Sequence, residues 1–301
     1  MKRVLLTGAS GFIGSHVLPI LAARGFEIHA VSRRAQPPVA GACWHRVDLL
    51  EPERAARLVA ETRPSHLLHL AWHAGPGNYW TDPVNLRWVE ASVGLLRTFR
   101  DRGGQRAVVA GTCAEYDWSS GHCREQATPL KPATVYGRCK HATQVLLDAY
   151  SQATGLSSAW GRVFHLYGPR QRADRLVPSV IRALLGNVPA RCTPGEQARD
   201  FMYVEDAAHA FATVLETDHR GPINIASGQA VRVKDLVAEI AGQIGRSDLV
   251  HLGALPAPAD EPPSIVGDVG VLARLGWAPR HGLADGIRHT IAWWKDHLGR
   301  R

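Results

Sequence analysis

Tyr136 and Lys140 stand four residues apart in the stretch Thr134-Val135-Tyr136-Gly137-Arg138-Cys139-Lys140. On a helix, positions i and i+4 share one face, so a phenol and an ammonium can converge there. A free tyrosine titrates near about 10, and a cation held beside it favours the phenolate, bringing the group toward proton transfer near neutrality. Such a pair arises in many helices by chance. It gains meaning from a glycine loop at the start of the chain. Val4-Leu5-Leu6-Thr7 leads into Gly8, Gly11 and Gly14 at G-x-x-G-x-x-G spacing, with a strand pattern before and a helical one after. Glycines there let the backbone turn tightly and approach a pyrophosphate, which sits at the positive end of the helix. Gly8, Ser10, Gly11, Phe12 and Ile13 are therefore the expected cradle of a dinucleotide.

The second strand ends in Val31-Ser32-Arg33-Arg34. An acidic residue at this point would bind the ribose 2′-hydroxyl of NAD. Here Arg33 and Arg34 stand where a 2′-phosphate would lie, which favours NADP (NADPH) and makes NAD the lesser expectation. Asp48 and Leu49, after the third strand, are placed to contact the adenine. Leu70 and Ala71, after the fourth, run beside the nicotinamide ribose. The fifth strand ends at Thr112, whose hydroxyl can reach a substrate carbonyl, because carboxyl ends of parallel strands face the ligand crevice.

These residues need a frame. Apolar runs at 3–6, 27–32, 43–47, 66–71, 107–110 and 158–164 read as strands. Helical spacing fills 12–24, 51–61, 83–101 and 133–153. Alternation of this kind implies an α/β fold: a Rossmann-type, doubly wound parallel sheet with helices on both faces. After residue 164 Pro and Gly become frequent and short helices follow, at 176–185, 233–244 and 282–297. The expected organisation is a dinucleotide-binding domain over 1–164, to which 200–226 returns, and a smaller C-terminal substrate-binding lobe from 165–199 and 227–301.

Composition excludes several alternatives. The 301 residues are 45% hydrophobic and 21% charged, as in folded globular proteins. The formal charge of +8 calls for an acidic partner, yet the arginines are scattered, which suits phosphate in a small-molecule site better than nucleic acid. Five cysteines without C-x-x-C spacing speak against zinc and against a disulfide framework, and for a reducing compartment. The apolar run at 1–14 is short and broken by Gly8 and Gly11, unlike a signal peptide, and no run approaches a membrane span. A cytoplasmic protein without a membrane partner is expected. His66, His69 and His73 resemble a metal cluster, but odd spacing on a strand sends His66 and His69 to opposite faces, so no metal is expected.

Further motifs complete the picture: Phe164-His165-Leu166-Tyr167-Gly168-Pro169, Arg199-Asp200-Phe201 running on to Glu205-Asp206, Asn224-Ile225-Ala226-Ser227-Gly228, and Leu275-Gly276-Trp277. With the loop and the Tyr/Lys pair they make the chain resemble, over nearly its whole length, the extended short-chain dehydrogenase/reductase family of nucleotide-sugar epimerases, dehydratases and reductases. By that resemblance Tyr136 is the general acid or base, Lys140 lowers its pKa and binds the nicotinamide ribose, and Thr112 orients the reacting carbonyl. It also implies substrate contacts from His73, Cys113, Glu115, His165, Arg175 and Arg199, the last on the diphosphate of a nucleotide sugar. The long helices at 83–101 and 133–153 would pair across a two-fold axis into a four-helix homodimer interface.

Departures from the family pattern narrow the reaction. The dehydratases place Asp-Glu directly after the catalytic Ser/Thr; Cys113-Ala114 cannot eliminate water that way. The acid and base that mark the 3,5-epimerase/reductases are missing. Arg33-Arg34 argue against tightly held NAD, as used by simple 4-epimerases. What the resemblance leaves is NADPH-dependent reduction of a nucleotide-linked 4-keto-6-deoxy sugar, with Tyr136 as proton donor. An epimerase with bound NAD(P), or a non-catalytic NADP-sensing protein, are the alternatives. His165 and Arg175 replace family asparagines, and Ala257, in Ala257-Pro258-Ala259-Asp260, replaces an arginine. Arg175 is the expected substitute for that lost phosphate contact.

Overall fold

The computed structural model describes residues 2–75, 79–257 and 261–299. Met1 and residues 258–260 of the Ala257-to-Asp260 motif lie outside them. The chain begins with β1 (Arg3–Thr7), α1 (Gly14–Ala23), β2 (Glu27–Ser32), β3 (Ala42–Arg46), α2 (Pro52–Thr62) and β4 (His66–His69). It continues through α3 (Val84–Asp101), β5 (Arg106–Thr112), β6 (His122–Cys123), α4 (Val135–Thr154), β7 (Ser157–Val163) and β8 (His165–Tyr167). Next come α5 (Leu176–Leu185), β9 (Ala190–Arg191), β10 (Ala198–Tyr203), α6 (Val204–Glu216), β11 (Gly221–Ile225) and β12 (Ala230–Arg232). The last elements are α7 (Val233–Ile244), β13 (Val250–His251), β14 (Ser264–Gly267), α8 (Gly270–Arg274) and α9 (Leu283–Gly299).

Seven strands form one parallel sheet in the order β11-β7-β5-β4-β1-β2-β3. Val4, Leu5 and Leu6 are buried on both faces, as expected where helices cover a parallel sheet from both sides. One face packs with α1 and α6, and the other with α2, α3 and α4. This is the Rossmann-type α/β fold read from the alternation. The strand order reverses between β1 and β4, and at such a switch point the carboxyl ends of the strands open a crevice. The glycine loop leaves β1 there, and Leu70 and Ala71 leave β4.

A smaller mixed sheet has the order β12-β10-β14-β6, with β8 also pairing with β10. Its core joins Tyr167, Phe201 and Tyr203 to the apolar faces of α5, α7 and α9. The return to the large sheet expected over 200–226 starts at Val204. Residues before it belong to the small sheet, because Phe201 and Tyr203 are buried in that lobe's core. The fourth strand stops at His69 rather than 71: the Leu70 N–H makes the last ladder bond, to the Thr7 carbonyl, and the Ala71 N–H goes instead to the Thr7 side chain. Among the described residues no helix is long and apolar enough to cross a membrane.

Candidate active site

Thr134 caps α4: its side chain accepts from the Gly137 N–H at 3.1 Å. That places Tyr136 in the first turn and Lys140 one turn deeper. A Cβ on Gly137 would come within 2.5 Å of the Ala114 carbonyl, so only glycine lets the helix start rest on the turn that follows β5. This contact brings Tyr136 beside Thr112, whose side chain favours the ionised phenol. Thr112 is itself fixed by a capping box. Its N–H donates to Glu115 Oε1 at 2.8 Å, and its hydroxyl accepts from the Ala114 N–H at 3.2 Å.

Lys140 is buried, and its Nζ donates to the Ala110 carbonyl at 2.7 Å and lies 3.9 Å from the centre of the Trp72 ring. Burial lowers its pKa to about 7, with Glu115 partly opposing. Burial likewise raises Tyr136, with Tyr79 adding to the rise and Thr112 opposing. This corrects one expectation: with its ammonium turned to Ala110, Lys140 does not hold the phenol down. An unfolded chain binds the Lys140 proton more tightly than the folded one, so its burial penalty is full below pH 7 and is relieved as pH rises toward 10.5. Lys140→Met should therefore raise the melting temperature at pH 6 by about 2–8 °C, with a smaller gain at pH 9, in thermal scans without cofactor. An equal gain at both pH values would contradict the titration.

The glycine loop fits a dinucleotide. Gly8 has φ +66°, and a Cβ there would lie 2.8 Å from the Ala71 nitrogen. A Cβ on Gly11 would meet only the Gly8 carbonyl, so the outer face of the loop stands open. The N–H groups of Phe12 and Ile13, at the start of α1, have no backbone acceptor among the described residues. Ser10 Oγ is 3.1 Å from Ser32 Oγ, and the Arg34 N–H donates to Ser32 Oγ, joining the loop to the end of β2. Arg33 and Arg34 are exposed there. Asp48 turns one oxygen to the Leu50 N–H, and Leu49 is buried against α2 and α3.

The remaining candidates divide. Arg175, at the start of α5, lies over the Tyr79 ring at 5.3 Å, and Tyr79 meets Tyr136 edge-on at 5.2 Å, so one aromatic ring separates Arg175 from the catalytic group. His165 packs beside Phe201; burial lowers its pKa to about 4, and its buried Nδ1 has no partner among the described residues. An unpaired buried nitrogen suits a polar group on a ligand. Cys113 is buried, and burial pushes its thiol up, away from acid–base work. His73 lies 3.2 Å from Asp82.

Two substrate contacts expected from the resemblance do not hold in this arrangement. Glu115 is fully buried and accepts from Arg162 Nε at 2.8 Å and Trp160 Nε1 at 2.9 Å as well as from Thr112, so it positions Thr112 rather than touching a substrate. Arg199 is buried too. It donates to Glu261 at 2.8 Å and to the carbonyls of Ala198 and Pro262, which leaves little of the guanidinium for a diphosphate. Its acidic partner is neither Glu205 nor Asp206. Glu205 sits by His16, and Asp206 accepts from the backbone of Arg280 and His281.

His66, His69 and His73 have separate partners, with His69 held between Thr7 at 2.7 Å and Ser92 at 2.9 Å. Sequence reasoning missed the aromatic wall. Tyr79 and Trp80 stack on each other and both meet Tyr136 edge-on, and the Tyr136 N–H donates to the Trp80 carbonyl. The available signal was two adjacent aromatics in a glycine-rich loop after a crevice strand.

A model of the NAD dependent epimerase/dehydratase family matches residues 4–226. UDP-glucuronic acid decarboxylase 1 of Xenopus tropicalis is 25% identical over 99% of this chain and 73% of its own length. Among solved structures, the UDP-glucose 4-epimerase of Thermus thermophilus in complex with NAD is 28% identical, with a TM-score of 0.87, covering 98% of this chain and 99% of that one. MoeE5 in complex with UDP-glucuronic acid and NAD is 32% identical, with a TM-score of 0.88, covering 99% of this chain and all of that one (100%).

Proposed function

Because the chain belongs to the NAD dependent epimerase/dehydratase family, we propose that it inverts a hydroxyl-bearing carbon of a UDP-linked sugar, as a nucleotide-sugar 4-epimerase. The observation that carries this reading is a single proton-handling phenol, Tyr136, faced by Thr112 and flanked by a buried Cys113 and an inert Ala114. Inversion needs one group that takes a proton and gives it back; elimination needs an additional acid–base pair. The MoeE5 and Thermus structures, solved with NAD and, for MoeE5, a UDP-sugar, support the same substrate class.

When bound, the nicotinamide dinucleotide supplies the hydride acceptor and donor. The glycine loop and the start of α1 would hold its pyrophosphate, and Lys140 its nicotinamide ribose. Tyr136 takes the proton of the sugar hydroxyl and later returns it. Thr112, held by Glu115, keeps the reacting oxygen within hydrogen-bond reach. Lys140 can help the phenolate only in its charged form, after leaving the Ala110 carbonyl. His165 and Arg175 would contact the sugar nucleotide.

One specific observation favours a second reading, an NADPH-dependent ketoreductase of a nucleotide-linked 4-keto-6-deoxy sugar: Arg33 and Arg34 are exposed where a 2′-phosphate would dock. A direct experiment decides. The purified protein is denatured to identify any co-purified dinucleotide, and then assayed with UDP-glucose and UDP-glucuronic acid by NMR, and with NADPH plus 4-keto sugars by absorbance. Co-purified NAD and sugar inversion without net change in cofactor are expected. Stoichiometric NADPH oxidation would replace the epimerase with the reductase, and no turnover with NADP bound would leave a sensor.

The homodimer belongs to the same reading. Leu86 on α3 and Val145 and Leu146 on α4 are exposed, and α3 packs on α4. Leu86→Glu/Leu146→Glu should shift the sedimentation coefficient from dimer to monomer; a wild type that already sediments as a monomer would refute the interface.

A further inference from the structure

Glu27, His29, Cys43 and His45 stand on one face of the outermost pair of strands, away from the catalytic group. In the β2/β3 register His29 lies opposite Cys43 and Val31 opposite His45, and alternate residues of a strand share a face. The pairing brings one donor atom each of His29, Cys43 and His45 within 4.8 Å of the others. Among the described residues this is the one group of histidine, cysteine and acidic side chains so disposed. His29 Nδ1 is 2.9 Å from His45 Nε2, and His29 Nε2 is 3.2 Å from Glu27 Oε1. Glu27 is in turn paired with Arg3, whose Nε lies 3.0 Å away. A histidine whose outer N–H is held by a carboxylate presents its other nitrogen as a lone pair, which is how carboxylates orient imidazoles on metals.

We infer that His29 Nδ1, His45 Nε2 and Cys43 Sγ form a binding site for one Zn²⁺ ion. Two imidazoles and a thiolate are the donors that ion prefers. Its bond lengths put neighbouring donors about 3.3–3.7 Å apart in a tetrahedron, so the two nitrogens need move only a few tenths of an ångström. Water fills the fourth position. Before binding, the His45 Nε2–H donates to His29 Nδ1. On binding, the His45 proton shifts from Nε2 to Nδ1 and the Cys43 thiol gives its proton to solvent, so one proton leaves for each ion bound. The ion fastens β3, the outermost strand, to β2, and so fixes both ends of the segment 33–41 that carries Arg33 and Arg34. The absence of C-x-x-C spacing does not bear on this site, because its donors meet only through strand pairing.

The test uses the full chain without a histidine tag. Titration with Co²⁺ should give one ion per chain and a near-ultraviolet thiolate-to-metal absorption band. Zn²⁺ should displace it and raise the melting temperature. Cys43→Ser should remove the band, and Cys43→Ser and His45→Gln should each weaken Zn²⁺ binding tenfold or more. The variants' melting temperatures without metal check that they fold; if either does not, Cys43→Ala and His45→Ala replace them. A Co²⁺ spectrum without the thiolate band, or Zn²⁺ affinity unchanged in both variants, would overturn the site and assign any binding to the chain's other histidines.

Discussion

Tyr136→Phe lowers turnover by about 10²–10⁴-fold and leaves dinucleotide affinity within about twofold, a ratio read from steady-state kinetics beside a fluorescence titration of the cofactor. The reason lies in the setting of the phenol. It is the one hydroxyl that Thr112 faces and that both aromatic rings of the Tyr79-Trp80 pair enclose edge-on. Phenylalanine keeps those ring contacts and the backbone bond to Trp80, so the wall and the helix start survive. Only the proton path is lost. A variant with normal turnover would move the acid–base role elsewhere, and a large loss of cofactor affinity would make Tyr136 a binding residue.

Arg162→Met is expected to destabilise the protein by about 3–5 kcal/mol, because it leaves a fully buried carboxylate without its charge partner. The guanidinium holds more than Glu115. It also donates to the Tyr116 hydroxyl at 3.0 Å, and that hydroxyl donates to Asn224 at 2.7 Å, tying β7 and the turn after β5 to β11. Glu115 in turn holds the Thr112 N–H, so turnover should fall with stability. Adding Glu115→Gln removes the stranded charge and should recover part of the loss. Denaturant midpoints for the single and double variants measure this, and equal midpoints for wild type and Arg162→Met would refute it.

Much of this molecule is legible in one dimension. Continuous apolar runs such as Val4-Leu5-Leu6 announce buried parallel strands, and Tyr136 and Lys140 announce a shared helix face. Local signals end where side chains choose partners. Spacing puts Lys140 near Tyr136 but does not reveal that its ammonium turns to the Ala110 carbonyl. Arg199 meets Glu261, 62 residues further along the chain, and Glu115 meets Trp160 and Arg162 from a neighbouring strand. His29, Cys43 and His45 become neighbours only once the register of β2 and β3 is known. Each of these depends on sheet order, which hydrophobic periodicity does not encode.

The return of the chain after Val204 has a consequence for how the protein is made. Residues 2–163 emerge from the ribosome with strand β7 as a bare edge and the apolar side of α1 uncovered, because β11 and α6 are still to come. Unpaired strand amides beside exposed apolar surface are what chaperones bind and what aggregates. A truncated product ending at residue 164 would keep that edge permanently, and a nonsense or frameshift change between 164 and 204 would yield insoluble material rather than a free dinucleotide-binding half.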